Sequence, residues 1–311
     1  MTPFASVFPG QGSQSVGMLD AWGDHPAVRQ TLQEASDALG QDLGRLIADG
    51  PKEQLDLTTN TQPVMLAADI ACWRAWQAET GLAPVAVAGH SLGEYAALVA
   101  AGALTLSDAL PLVRFRAQAM QEAVPVGAGG MAAILGLDAQ AVREGCARVA
   151  EGGEVVEAVN FNDPKQTVIA GTKAGVEQAC EALKAAGAKR ALPLPVSAPF
   201  HSSLMKPAAE RLKDRLAAVA VHAPALPVIN NIDVAVEADP GRIRDALYRQ
   251  AFGPVRWVEC VQALKGRGAQ AIVECGPGKV LAGMAKRIDA ELAAYSVFDP
   301  ASLADTRGAL A

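Results

Sequence analysis

The feature that most constrains this chain is a strand-to-helix corner. The apolar run Pro84-Val-Ala-Val-Ala88 leads into Gly89-His90-Ser91-Leu92-Gly93, and the apolar stretch Glu94–Ala101 follows. The spacing predicts a buried strand, a sharp turn and a helix. A G-x-S-x-G in that setting lifts a serine hydroxyl above the edge of a sheet. Glycine suits both flanks because a side chain there would strike the neighbouring strand and helix. The helix start after Ser91 offers backbone N–H groups with no acceptor of their own, as an oxyanion requires. At average Gly and Ser usage the pattern arises by chance in about one chain in ten, so it does not decide the matter alone. Locally, a tight turn with Ser91 as a helix N-cap stands beside the nucleophile reading.

The remainder of the chain predicts an α/β fold. Phe4–Phe8 reads as a first strand ending at Pro9-Gly10. Residues 26–40, 61–80 and 106–122 read as helices. Val124-Pro-Val-Gly-Ala-Gly-Gly130 is a Pro/Gly-rich hinge. After it the pattern is strand 131–137, helix 139–150, strands 154–160 and 166–171 around an Asn-Asp-Pro turn, helix 173–186 and strand 188–194. That βαββαβ order is the ferredoxin-like pattern. Beyond it, 202–219, 242–251 and 279–288 read as helices, and 227–230 and 271–274 as strands. The expected architecture is a large α/β-hydrolase-like domain with a parallel sheet, residues 1–124 and 199–311, carrying an inserted ferredoxin-like subdomain, residues 125–198.

Composition narrows the function classes. At 311 residues with half of them apolar, the chain can bury a large core without staples. The 27 Lys and Arg against 33 Asp and Glu give a net charge of −6, the wrong sign for a nucleic-acid partner. The five cysteines are odd in number and lack C-x-x-C spacing, which predicts core thiols in a reducing compartment. The N-terminus has no basic n-region, and the longest apolar run, Ala96–Leu106, falls short of the roughly 20 residues of a membrane span. The expectation is a soluble, cytoplasmic protein with no membrane partner.

A serine nucleophile usually needs a histidine base, and the chain has only His25, His90, His201 and His222. His90 is adjacent to Ser91 and badly placed to take its proton. His25 precedes a helix, and His222 reads as a surface loop residue. His201, in Ser197-Ala-Pro-Phe-His-Ser-Ser203, is the best candidate. An α/β-hydrolase places its histidine near the C-terminus, whereas the last histidine here, His222, lies far ahead of Ala311. Another Ser–His fold is therefore indicated.

Phe8-Pro-Gly-Gln-Gly-Ser-Gln14 together with Gly89-His-Ser-Leu-Gly-Glu-Tyr95 resembles the malonyl-CoA:acyl carrier protein transacylase family of fatty acid and polyketide synthesis. The resemblance spans nearly the whole chain. It takes in Arg114-Phe-Arg-Ala-Gln-Ala-Met120, Gly130-Met-Ala-Ala-Ile-Leu-Gly136, Asn160-x-Asn162, Gln166-x-x-Ile-Ala-Gly171, Pro199-Phe-His201, Pro254-Val-Arg-Trp257 and Glu274-Cys-Gly-Pro-Gly278. It implies Ser91 as the acylated nucleophile, His201 as its base and Arg116 as the ligand of the malonyl carboxylate. It implies backbone N–H groups of Gln11 and Leu92 as the oxyanion hole and the backbone carbonyl of Gln250 as the group orienting the histidine. Phe200 resembles the residue that selects malonyl over methylmalonyl, and Met120 and Met131 resemble pocket-wall residues for which plain core packing is the alternative. Asn160 and Asn162 match positions near the pocket. The implied partners are malonyl-CoA, as a thioester substrate, and acyl carrier protein, with no metal or bound cofactor. Because such carriers are acidic, Lys189-Arg190 and Lys286-Arg287 become candidate docking pairs. A serine esterase or thioesterase, and a non-catalytic acyl-CoA-binding module, are the competing readings.

Overall fold

The computed structural model describes residues 1–196 and 198–311. Its first half runs β1 (Phe4–Phe8), α1 (Pro26–Leu39), α2 (Leu43–Asp49), α3 (Lys52–Leu55), α4 (Thr58–Thr80), β2 (Val87–Gly89), α5 (Gly93–Ala100) and α6 (Leu106–Glu122). Next come β3 (Gly129–Leu135), α7 (Ala139–Ala150), β4 (Val156–Asp163), β5 (Gln166–Thr172), α8 (Lys173–Ala185) and β6 (Arg190–Pro193). The chain finishes with α9 (Lys206–Ala218), β7 (Val228–Ile229), α10 (Pro240–Gln250), α11 (Trp257–Gly266), β8 (Ala271–Cys275), α12 (Val280–Ile288), β9 (Ala293–Val297) and α13 (Pro300–Leu310).

Among the described residues, five strands form a parallel sheet in the order β7-β2-β1-β8-β9. Both faces are covered, so its strands are mostly apolar, with Ser6, Glu274 and Ser296 as buried polar exceptions. Side chains alternate between the faces. Phe4 and Phe8 of β1 point into one core, where they meet Trp76 and Trp73 of α4 edge to face. Ala5 and Val7 point into the other, beneath α11 and α12. The carboxyl ends of β1, β2, β7 and β8 all open at one edge of the sheet, where open parallel sheets bind ligands.

The second sheet is antiparallel, in the order β4-β5-β3-β6, with α7 and α8 packed on it. Its order and directions are those of a ferredoxin-like unit. The edge strand β4 is tied to the large sheet's side through Phe161 N–H to the Val255 carbonyl and Val255 N–H to the Val159 carbonyl. The expected Asn-Asp-Pro turn needs correction. Asn162 and Asp163 belong to β4, and the turn is Pro164-Lys165. Register shifts after Ala158 and Phe161 extend the strand, and the Asp163 carboxylate closes the turn by accepting the Lys165 N–H at 2.8 Å. Among the described residues no helix is long and apolar enough to cross a membrane. All five cysteines are buried and unbridged.

Candidate active site

The turn after β2 is forced by its glycines. A Cβ on Gly89 would lie 1.8 Å from the Gly93 carbonyl oxygen, and one on Gly93 would lie 2.1 Å from that of Phe8. Between them Ser91 adopts φ 53°, left-handed backbone that costs a non-glycine residue about 1–3 kcal/mol. Two buried amides hold it there. The Ser91 N–H donates to Oδ1 of Asn231 at 2.8 Å, and Nε2 of Gln250 donates to the Ser91 carbonyl at 2.9 Å. The loop after β1 packs on this corner, since a Cβ on Gly10 would lie 2.6 Å from the His90 carbonyl oxygen. Gln11 and Leu92, the latter at the start of α5, both line the cavity beside Ser91.

His201 reaches the same point from the segment before α9. Its Nε2 lies 2.6 Å from Ser91 Oγ, and its Nδ1 lies 2.9 Å from the Gln250 carbonyl and 3.2 Å from that of Gly253. A carbonyl can only accept, so Nδ1 carries the hydrogen and Nε2 presents its lone pair to the serine hydroxyl. His201 itself sits at φ 66°. Burial pushes its pKa down to about 3, and the nearby Arg116 charge pushes the same way. The ring is therefore a neutral acceptor at physiological pH.

Arg116, one face of α6, is only 2% exposed. Its Nη1 donates to Gln62 Oε1 at 2.8 Å, and its Nη2 donates to Ser91 Oγ at 3.1 Å and to Gln250 Oε1 at 3.0 Å. The guanidinium lies over the Tyr95 ring, 5.6 Å from its centre. Among the described residues no carboxylate comes within ion-pair distance of it, and its Nε has no hydrogen-bond partner. Burial pulls its pKa below the ordinary arginine value, with Tyr95 and Glu94 opposing. Glu94 is buried too, and burial pushes its carboxyl up to about 7 while hydrogen bonds from Asn231 and Gln250 act against the shift.

A cavity of ≈ 120 Å³ joins these groups. Met131, Asn160, Leu194, Val196 and Phe200 form much of its wall, and His90 and Gln62 complete it. Asn160 aims a buried Oδ1 with no partner among the described residues. Of the residues expected on or near the pocket, two do not line it. Met120, one turn beyond Arg116 on α6, is packed into the main core at 1% exposure, because that face of the helix is fully covered. Asn162 stands next to the cavity, near it as expected, and accepts a hydrogen bond from His90 Nε2 at 2.8 Å. Of the two basic pairs, Arg287 is already bound to Asp163 at 2.7 Å, while Arg190 opens the edge strand β6 and is exposed. Ser197, where the expected His201 segment begins, lies outside the described residues.

Gln62, Glu94, Asn231 and the side chain of Gln250 carry no expectation from sequence. One signal was present for Asn231: Asn230-Asn231 directly follows the apolar Val228-Ile229, at a strand's carboxyl end.

Residues 5–293 match the family described as the acyl transferase domain. The malonyl CoA-acyl carrier protein transacylase of Salmonella typhimurium is 54% identical over 304 residues, covering 97% of this chain and 98% of the relative. That of Escherichia coli K12 is 53% identical over 305 residues, covering 98% of each. An acyl-carrier-protein S-malonyltransferase from Burkholderia pseudomallei superimposes with a TM-score of 0.97 at 68% identity, over 99% of this chain and 100% of the other. A malonyl-transacylase solved in complex with its type II polyketide synthase acyl carrier protein also gives 0.97, at 50% identity and the same coverage.

Proposed function

The chain belongs to the acyl transferase family, and from that premise we propose that Ser91 carries a malonyl group from coenzyme A to the phosphopantetheine thiol of acyl carrier protein. The observation that carries the reading is Arg116: a buried cation with no carboxylate within ion-pair distance among the described residues, hydrogen-bonded to the serine hydroxyl. Buried charges are normally paired. A water-using serine esterase has no need of one at its nucleophile, whereas an acyl donor ending in a carboxylate supplies the missing partner, in the bidentate geometry a guanidinium favours.

The chemistry proceeds in two matched halves. His201 Nε2 takes the Ser91 Oγ proton as Oγ attacks the thioester carbonyl. The developing oxyanion receives the backbone N–H groups of Leu92 and Gln11. Collapse breaks the C–S bond, and the leaving thiolate takes the proton from His201, leaving malonyl-Ser91. The carrier's thiol then gives its proton to His201 and attacks the ester, and the serine oxygen recovers that proton on leaving. The Gln250 carbonyl stands where a triad would place an acid, fixing the tautomer without adding charge. A malonyl carboxylate on Arg116 also offsets the positive field that holds His201 down, so the preferred substrate strengthens its own base. The steps use side chains and backbone groups of this chain, the thioester and the carrier thiol. The reading places the enzyme in the cytoplasm, in keeping with its five reduced, buried thiols.

Partition of the acyl group tests the reading. With malonyl-CoA and holo carrier protein, malonyl is expected on the carrier thiol, with free malonate forming far more slowly. Turnover to free malonate at a rate independent of the carrier would favour the esterase. No turnover and no adduct would favour a binding module.

A further inference from the structure

We propose that Asn231 is a positioning residue of the transfer, holding the Ser91 turn in the strained conformation from which Oγ attacks. The inference rests on Ser91 being the nucleophile. Asn231 follows the short edge strand β7, whose pairing with β2 ends at Ala88 and Ile229. Beyond that point the fully buried Asn231 side chain takes over the ladder. Its Nδ2 donates to the Gly89 carbonyl at 2.8 Å, and its Oδ1 accepts the Ser91 N–H at 2.8 Å. One amide thus grips the peptides on either side of His90, as a strand neighbour would, while the chain turns away into the corner. Its own backbone is anchored, since the Asn231 N–H donates to Glu94 Oε2 at 2.8 Å, the oxygen that also accepts from Gln250 Nε2 at 3.1 Å.

The consequence falls on the chemical step. Releasing the Ser91 N–H lets its left-handed φ relax, and that turns Oγ away from His201 and moves the Leu92 N–H, the next peptide along. Arg116 also donates to Ser91 Oγ, but it keeps two anchors that Asn231 does not touch, Gln62 Oε1 and Gln250 Oε1. Misplacement near the reacting atoms lowers rate without weakening carboxylate binding.

The test is rapid-quench intact mass spectrometry of malonyl-enzyme formation, in wild type and Asn231→Ala, across a range of malonyl-CoA concentrations. The acylation rate constant is expected to fall roughly 10- to 100-fold. The half-saturating concentration should stay within about threefold, and the end point should still be one malonyl on Ser91. A wild-type rate constant, or a half-saturation that rises in step with the loss, overturns the proposal. Should Asn231→Ala fail to show a cooperative melt, Asn231→Asp decides. Its protonated carboxyl can both accept from Ser91 and donate to Gly89, whereas its ionised form cannot donate. Its rate relative to wild type should therefore fall by about tenfold or more from the acid to the alkaline end of the range in which the fold survives, as that carboxyl ionises. Glu94, which accepts the backbone N–H of this residue, and Cys260, beside its side chain, titrate coupled to a carboxyl at position 231, so the midpoint of the ratio is the apparent value of the group rather than of one residue. A flat ratio overturns the proposal. Absence of any Ser91 adduct in the wild type is a different result, which overturns the nucleophile reading beneath it.

Discussion

Ser91 Oγ and His201 Nε2 stand 2.6 Å apart although 110 residues, including the whole antiparallel sheet, separate them in the chain. Both residues hold left-handed backbone, φ 53° and 66°. Histidine tolerates that region better than most residues, serine less well. The surrounding hydrogen bonds keep both in place: Asn231 and Gln250 on the serine, and the Gln250 and Gly253 carbonyls on the imidazole ring. Four consequences follow from this arrangement and its neighbours, and a fifth tests the whole.

Arg116→Ala should lower kcat/KM for malonyl-CoA by about 2–5 kcal/mol, the cost of truncating one side of a buried charge pair. Transfer from acetyl-CoA, which has no carboxylate, should suffer much less. Steady-state kinetics with both donors checks this, and equal losses would make Arg116 structural.

Phe200 lines the cavity immediately before His201 in the chain. Phe200→Ser should open room for an α-methyl group and raise the methylmalonyl-to-malonyl ratio of kcat/KM by up to about 10–200-fold, the worth of one methyl in a pocket. An unchanged ratio would place the discrimination elsewhere.

His201 is held down to about 3 by burial and by Arg116. Its ring therefore stays neutral, and able to accept a proton, well below the ordinary histidine value near 6.5. The acylation rate should stay nearly flat from about pH 8 to about pH 5.5 instead of halving near 6.5. The sign for stability is the same. Above 6.5 both states are neutral, and as pH falls from 6.5 towards 3 the unfolded chain takes up a proton that the folded chain refuses, so this group's contribution is lost with acid. A pH–rate profile of adduct formation with a midpoint near 6.5 would contradict the buried, neutral base.

Gly93→Ala should destabilise the fold by about 1–3 kcal/mol or more, since its Cβ would meet the Phe8 carbonyl, which cannot retreat without losing the His90 N–H. Gly266→Ala, with nothing within 4 Å of its Cβ, is the control and should be close to neutral. Urea midpoints at constant m compare the two. Equal midpoints would mean that the corner has slack.

The parts legible in the sequence were those with a local cause. The elbow announces itself because its glycines and its apolar strand lie side by side in the chain. The βαββαβ unit is legible because its periodicities alternate cleanly between turn signals. His201 stands out by elimination, which works only because the chain has four histidines. Gln62, Asn231 and Glu94 were not legible as partners. Each is a polar residue whose use depends on a contact between elements far apart in sequence, such as Gln62 of α4 with Arg116 of α6. Met120 is the converse case: the resemblance puts it on the pocket wall, with core packing as the alternative, and its face of α6 is sealed in the core. Strand β9 is not legible because Ala293-Ala-Tyr-Ser-Val297 carries too little apolar bulk to stand out.

The central claim is a malonyl ester on Ser91, and intact mass spectrometry after mixing with malonyl-CoA tests it directly. The account predicts one added malonyl group on the wild-type chain, located by peptide mapping at Ser91 and discharged on adding holo carrier protein. It predicts no added mass on Ser91→Ala, whose thermal melt should remain close to wild type. A malonyl adduct on folded Ser91→Ala, or a wild-type adduct that the carrier cannot remove, would contradict it.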